Sequence, residues 1–298
     1  MELRVLKYFL TVAREENITK AAELLHITQP TLSRQLSQLE EDLGVKLFAR
    51  GARKIALTEE GMLLRRRAEE IAGLVDKAEK ELLEQDELTE GVIALGCGEL
   101  AAVQLLADIL KTFKAEYPKV SYELYTGNAD KIKERLDNGL TDIGLLLEPV
   151  NIEKYDFIRL STKERWVVLM PPDDPLAGKD YVTADDLSKL PIIMVSRNSV
   201  QNELASWFGD YFKKLDIVFT SNMSTNAAIM VKKGLGYALV IEGSVPFWSD
   251  EHICYKPLGP ELTATTVLVW KKYQPCSLAV TKFIQYLKCF LGIENNKI

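Results

Sequence analysis

The sequence predicts an α/β protein preceded by a small, separate helical unit, and three observations carry that prediction. Helical periodicity fills the first ninety residues, short apolar runs alternating with helical stretches follow from Gly91, and the balance of charge changes sign between residues 1–58 and the remainder. At 298 residues and 47% apolar content, the chain is long enough to bury more than one core.

The first helix is expected over residues 3–14, where Leu3, Leu6, Leu10 and Ala13 recur at helical spacing. Thr19 reads as the N-cap of a short second helix, KAAELLH, whose Ala21, Ala22 and Leu25 leave room for another helix to approach closely. Pro30 suits the first turn of a third helix because its missing N–H would be unpaired there anyway. In that helix Leu32, Leu36, Leu39 and Leu43 form the buried stripe, and Gly44 ends it. VKLFARGARKIALT then reads as a two-stranded wing with Gly51 at its turn.

Composition bounds the function. Glu2, Arg4, Lys7 and Arg14 interrupt the opening segment before it resembles a signal peptide, and no run approaches the roughly 18 apolar residues of a membrane span. A cytoplasmic protein without a membrane partner is expected. Cys97, Cys254, Cys276 and Cys289 lie far apart with no CxxC pair, so no metal site, disulfide framework or cofactor is signalled. The net charge of -6 argues against nucleic acid until the charges are placed. Residues 1–58 hold nine Lys or Arg against seven Asp or Glu, and the run Leu43 to Thr58 carries Lys46, Arg50, Arg53 and Lys54 with no acid.

The third helix presents Thr31, Arg34, Gln35 and Gln38 opposite its leucines, with Gln29 and Ser33 near its start. These side chains suit contacts with base edges and phosphates in a major groove. The plainer alternative is a solvated face, but such a face normally carries Glu and Lys, and this one is uncharged apart from Arg34 until Glu40, Glu41 and Asp42. Acids there would be repelled by phosphate, so the N-terminal half is the part expected to insert.

The ordered set Ala21-Ala22, Leu25, Gln29-Pro30, Ser33, Leu39-Glu40, Leu43-Gly44, Leu47-Phe48, Arg50, Leu57-Thr58 and Gly61 resembles the signature of LysR-type transcriptional regulators in identity and spacing. Asn17, where the family most often has Ser, is a mild departure. The resemblance implies a winged helix-turn-helix over residues 1–58 whose recognition helix is the third. Lys20, Gln29, Pro30, Thr31, Ser33, Arg34, Gln35 and Gln38 would then contact DNA, with Arg50 and Arg53 on the wing near phosphates.

Thr58 caps a further helix, and a linker helix is expected over residues 59–90. Leu64, Ala68, Ile71, Val75, Ala78 and Leu82 alternate at four and three, as in a heptad seam. The stripe suits pairing with a second copy; the alternative is packing on its own domain. Pairing would place two recognition helices about 34 Å apart, or a multiple of that, on an inverted repeat of double-stranded DNA. The family resemblance implies a homodimer or homotetramer, and contact with RNA polymerase if the protein activates.

From Gly91, VIALG, VSYELYT, DIGLLL, WVVLM, PIIMV, IVFT and YALVI read as strands, with helices over LAAVQLLADILKTFKAEYP, ADKIKERLDNG and about 277–291. This order, with Tyr117-Pro118, Gly139, Asp142-Ile143-Gly144 and Gly234-Leu235-Gly236, resembles the effector-binding domain of LysR-type regulators, two subdomains similar to periplasmic solute-binding proteins. The expected division of 91–298 is subdomain I, 91–162 and 267–298, and subdomain II, 163–266, with crossings near 161–164 and 263–267.

Ligands of open α/β folds sit beyond the carboxyl ends of strands, near helix N-termini. Four loops qualify, and they put Cys97, Gly98, Glu99, Thr126, Gly127, Ser196, Asn198, Ser199, Asn222, Ser224 and Thr225 at a candidate effector site. Any one loop could equally be ordinary helix capping. Glu99 would oppose an anionic effector, so it points away, pairs with Arg197, or faces a cationic or neutral ligand. Cys97, just before a helix, is either a small buried residue or a reactive thiol.

An enzyme is disfavoured: His26 and His252 are the only histidines, and no GxSxG, P-loop or dinucleotide glycine loop is present. A solute-binding protein without DNA function would leave the first ninety residues unexplained. A winged-helix regulator of another family would rarely carry a sensor of this size.

Overall fold

The computed structural model describes residues 2–50, 55–83, 89–245, 252–273 and 276–293. It divides into two units, Met1–Gln85 and Asp86–Ile298.

The first unit comprises α1 (Leu3–Glu15), α2 (Ile18–Leu24), α3 (Gln29–Leu43), β1 (Phe48–Arg50), β2 (Ile55–Leu57) and α4 (Glu59–Leu83). Its core gathers Val5, Leu6, Phe9 and Val12 of α1, Ala21 and Ala22 of α2, Leu32, Leu36 and Leu39 of α3, then Leu47 and Ala68. The buried face of α1 therefore centres on Phe9, which lies 5.3 Å from the ring of Phe48 in β1, and of the expected stripe only Leu6 is fully buried. That long-range ring contact, invisible to periodicity, rotates the helix. The cap of α2 is Asn17, whose side chain accepts from the Lys20 N–H at 3.1 Å, two residues before the expected Thr19.

Thr28 caps α3, Pro30 occupies its first turn, and Gly44 ends it in the left-handed region at φ 70°. Leu43, at that terminus, is 41% exposed rather than part of the core. The Thr58 hydroxyl accepts from the Gly61 N–H at 3.0 Å and donates to the Lys46 carbonyl at 2.6 Å, tying α4 to the wing. A Cβ at Gly61 would stand 2.1 Å from the Leu47 carbonyl oxygen, so only glycine lets α4 dock this closely.

The stripe on α4 is divided between two tasks. Ala68 is fully buried, and Leu64 and Ile71 pack beside it on the unit's own core. Of these three expected seam residues, Ala68 is taken up by the unit's own core, while Leu64 and Ile71 pack against it and keep part of their surface exposed. Val75 is half-buried and Ala78 exposed, while the Leu82 side chain lies outside the described residues. A four-three alternation identifies an apolar stripe but not the helix that covers it.

The second unit is built on one nine-stranded sheet. Its strands are β3 (Gly91–Cys97), β4 (Val120–Thr126), β5 (Ile143–Leu147), β6 (Tyr155–Met170), β7 (Pro191–Val195), β8 (Asp216–Ser221), β9 (Tyr237–Ile241), β10 (Cys254–Pro257) and β11 (Thr263–Lys271). The order is β4-β3-β5-β11-β6-β9-β7-β8, with β10 also paired to β6. Helices α5 (Ala102–Glu116), α6 (Ala129–Asp137) and α10 (Leu278–Phe290) flank the β3 end, and α7 (Ala184–Leu187), α8 (Asn198–Phe208) and α9 (Ser224–Lys232) flank the β7 end, forming two lobes. Phe113 of α5 and Phe283 of α10 meet edge to face at 4.9 Å in the first lobe.

Two strands join the lobes. β6 pairs with β11 as far as Arg165 and with β9 from Trp166, so WVVLM is only the last part of a 16-residue strand. β11 runs antiparallel to it, with a bulge between Thr265 and Val267. Among the described residues no helix is long and apolar enough to cross a membrane.

Candidate DNA-reading face and ligand cleft

On α3 the stripe of Leu32, Leu36 and Leu39 turns Gln29, Pro30, Thr31, Arg34 and Gln38 outward, while Ser33 and Gln35 are half-buried at its margins. Thr31 shares a hydroxyl hydrogen bond of 2.8 Å with the cap residue Thr28, and Gln38 donates to Asp42 at 3.0 Å. Arg34 forms no ion pair among the described residues. Lys20 does: its ammonium lies 2.7 Å from Glu15, and Lys20 with Arg14 holds the Glu15 carboxyl below its ordinary range. Arg50 ends β1, while Arg53 lies outside the described residues.

Of the three acids at the end of α3, Glu41 and Asp42 are exposed, while Glu40 turns to the wing. Its carboxylate accepts from the Leu47 and Phe48 N–H groups at 2.8 and 3.2 Å and from the Lys46 ammonium at 2.8 Å. Burial pushes its pKa up, but Lys46 and the two backbone donors outweigh burial and leave it lowered. Glu40 is thus the clasp between α3 and the wing.

In the second unit all four candidate loops converge on one cavity of about 100 Å³ between the lobes. Gly98, Glu99, Gly127, Ser196, Asn222 and Ser224 line it, as do Arg197 and the apolar side chains of Leu100, Leu145, Leu147, Trp166, Val195, Val240 and Ile241. Cys97, Thr126, Asn198, Ser199 and Thr225 are not in its wall. Cys97 is buried at the end of β3, where burial pushes its thiol pKa up, the opposite of an activated cysteine.

Charged groups bridge the lobes. Glu99, from the first lobe, accepts from the Ser224 and Thr225 N–H groups at 2.7 and 3.2 Å and from the Thr225 hydroxyl, so it caps α9, whose own N-cap residue makes no side-chain bond. It neither points away nor pairs with Arg197. Arg197, from the second lobe, reaches back to the Leu147 carbonyl at 2.9 Å, the Pro149 carbonyl and Asp130 at 3.4 Å.

Sequence reasoning missed a third carboxylate. Glu164, fully buried on β6 at the crossing, accepts from the Ala101 and Ala102 N–H groups, each at 2.9 Å, and so holds the start of α5. Burial pushes its carboxyl pKa up against those two donors. Beside it Arg165 makes a two-pronged pair with Glu242 at 2.6 and 2.8 Å. No sequence signal marked Glu164, which lies two residues before the apolar run WVVLM. Trp166 read simply as a strand residue.

Residues 3–62 match the bacterial regulatory helix-turn-helix family of lysR type, and residues 86–291 match the LysR substrate binding domain. The Hca operon transcriptional activator HcaR of Escherichia coli is 32% identical over 91% of this chain and 92% of its own length. An uncharacterised HTH-type regulator of Bacillus subtilis, YvbU, is 29% identical over 99% of this chain and all of its own. Among solved structures, the LysR-family regulator CbnR superposes with a TM-score of 0.74 at 20% identity, covering 98% of this chain and 99% of that one, a likeness of fold. With both parts matched and the relatives spanned almost end to end, the chain belongs to the LysR family of DNA-binding transcriptional regulators.

Proposed function

We propose that the protein reads an inverted-repeat operator in double-stranded DNA through paired α3 helices, and that a small molecule in the cleft between the lobes alters that reading. The observation that carries this is the outward face of α3, where Arg34, which forms no ion pair among the described residues, stands among Gln29, Thr31 and Gln38, with Ser33 and Gln35 at its margins. Lys20 and the wing residues Arg50 and Arg53 complete the contact set by adding phosphate neutralisation. The protein acts in the cytoplasm, and contacts RNA polymerase if it activates.

The oligomer is a homodimer or homotetramer. What supports this is exposed apolar surface: Met62, Leu63 and Leu74 on α4, and the two edge strands of the sheet, with Leu124 on β4 and Ile217, Val218 and Phe219 on β8. The effector domain begins after the linker helix near residue 90, and the lobes are its subdomains. A ligand drawing on both lobes changes the angle between them and so the spacing of the paired α3 helices.

The test is fluorescence anisotropy of the full-length protein on the duplex upstream of its own gene, against a scrambled duplex and over a series of salt concentrations. Binding is expected to prefer the upstream duplex and to weaken with salt, and R34A is expected to lose about 1–3 kcal/mol. Equal binding of R34A and the unaltered protein would remove α3 from the interface.

A further inference from the structure

The cavity between the lobes has no charge to spare. The charged side chains in its wall are Glu99 and Arg197. Arg197 is committed to Leu147, Pro149 and Asp130 in the opposite lobe. Glu99 is committed to the first turn of α9, the position at which a ligand's carboxylate would otherwise be held by backbone N–H groups. At the start of α5 the equivalent place is filled by Glu164. An anion entering here would meet no free cation, and leaving it unpaired in a largely apolar cavity is costly. A cation would meet a Glu99 carboxylate already engaged in three hydrogen bonds.

Among the described residues one buried polar group in the wall is left over. Trp166 lines the cavity, is 2% exposed, and its indole N–H has no hydrogen-bond partner. A buried indole N–H ordinarily finds an acceptor, and an orphaned one in a cavity wall marks where an acceptor belongs. Nearby, α8 starts without a side-chain cap, which adds a partial positive charge but not a full one.

We propose that the cleft selects a compact, uncharged molecule with an apolar body and one hydrogen-bond acceptor, which takes the Trp166 indole N–H. Glu99 sets the selectivity: by occupying the α9 N-terminus with the protein's own carboxylate, it excludes ligands that carry one. This rests on the cleft being the effector site.

The experiment uses the full-length protein with its tryptophans labelled at the indole nitrogen, W166F identifying the Trp166 resonance among the four. Matched pairs are titrated: benzamide with benzoate, isobutyramide with isobutyrate, nicotinamide with nicotinate. Each pair differs in charge and little in shape. Amides are expected to shift the Trp166 resonance saturably and to bind at least about tenfold more tightly than their carboxylates. E99Q closes that gap by gaining carboxylate binding, and E99D, which keeps the charge, retains it. Carboxylates binding the unaltered protein as tightly as amides would overturn the charge selectivity and leave the cleft reading standing. A gap unchanged in E99Q would overturn the role of Glu99, and amide binding without movement of the Trp166 resonance would overturn the role of Trp166. If no member of either series perturbs any cleft residue, the effector-site reading itself fails.

Discussion

Glu40 separates two things a carboxylate does, accept hydrogen bonds and carry charge, and the geometry predicts which matters. One of its oxygens, Oε1, takes both backbone donors, Leu47 at 2.8 Å and Phe48 at 3.2 Å, while Oε2 faces the Lys46 ammonium. In E40Q the amide oxygen keeps the two backbone bonds, and only the pair with Lys46, whose side chain is 74% exposed, is lost; the cost is about 0.5–1 kcal/mol. In E40A both part-buried N–H groups lose their acceptor, and the cost rises to about 2–4 kcal/mol. All four tryptophans lie in residues 166–270, so unfolding of the first unit appears in far-UV circular dichroism and is silent in tryptophan fluorescence. Urea titrations followed by both signals therefore isolate the effect. The lowered Glu40 pKa adds stability that is complete above the unfolded value near 4.5 and lost as pH falls through the folded one, so the gap between E40A and the unaltered protein narrows in acid. E40Q as destabilised as E40A, or E40A melting like the unaltered protein, would refute the argument.

Ala68 is fully buried, so A68L overpacks the first unit and lowers its urea midpoint by the equivalent of about 1–3 kcal/mol, read by the same pair of signals. A78E, at an exposed position on α4, leaves that midpoint unchanged and lowers the mass found by sedimentation equilibrium; an unchanged mass takes Ala78 out of the oligomer contact. Lys179 and the Thr183 N–H hold the Asp186 carboxyl at about 2 against an ordinary 3.8. That contribution is complete above the unfolded value and lost as pH falls toward 2, so D186N flattens the acid limb of the fluorescence-detected melt, and D186A, which leaves the Thr183 N–H without its acceptor, removes one half of a capping box at neutral pH at a cost of about 1 kcal/mol. A Cβ at Gly243 would lie 1.9 Å from the Ala101 nitrogen, backbone against backbone, so G243A lowers the stability of the second unit by more than about 2 kcal/mol. Undisturbed melting of G243A would contradict the contact between that loop and the start of α5.

What the sequence disclosed was local. Pro30, the leucines of α3 and Gly44 lie within one helix and its ends, and the bounds of β4, β7 and β9 coincide with VSYELYT, PIIMV and YALVI because each run is closed by turn residues. What it withheld was partnership. Glu99 and its α9 donors are 125 residues apart, and Glu164 and Ala102 are 62 apart, so nothing in the neighbourhood of either acid announces a helix N-terminus. The stripe on α4 was visible, but whether α1 or a second copy covers it depends on where the chain returns in space. The polar first part of β6 escaped notice because residues such as Arg159 and Lys163 face solvent and break the apolar run.

On the proposed function, the crossing of β6 and β11 is the path by which a bound molecule would become a signal. The two strands pass from lobe to lobe side by side, laddered from Thr263 opposite Arg165 to Thr265 opposite Lys163, with the bulge immediately after. Such a ribbon yields to twisting and to flexing out of its own plane, whereas sliding the lobes past one another would break the ladder. Twist and out-of-plane bend are thus the soft coordinates of the linkage, and in-plane shear is the stiff one. If the cleft is the effector site, a receptor wired in this way would transmit how far it has closed and discard what closed it, so chemically different ligands reaching the same angle would be read at the DNA as the same message.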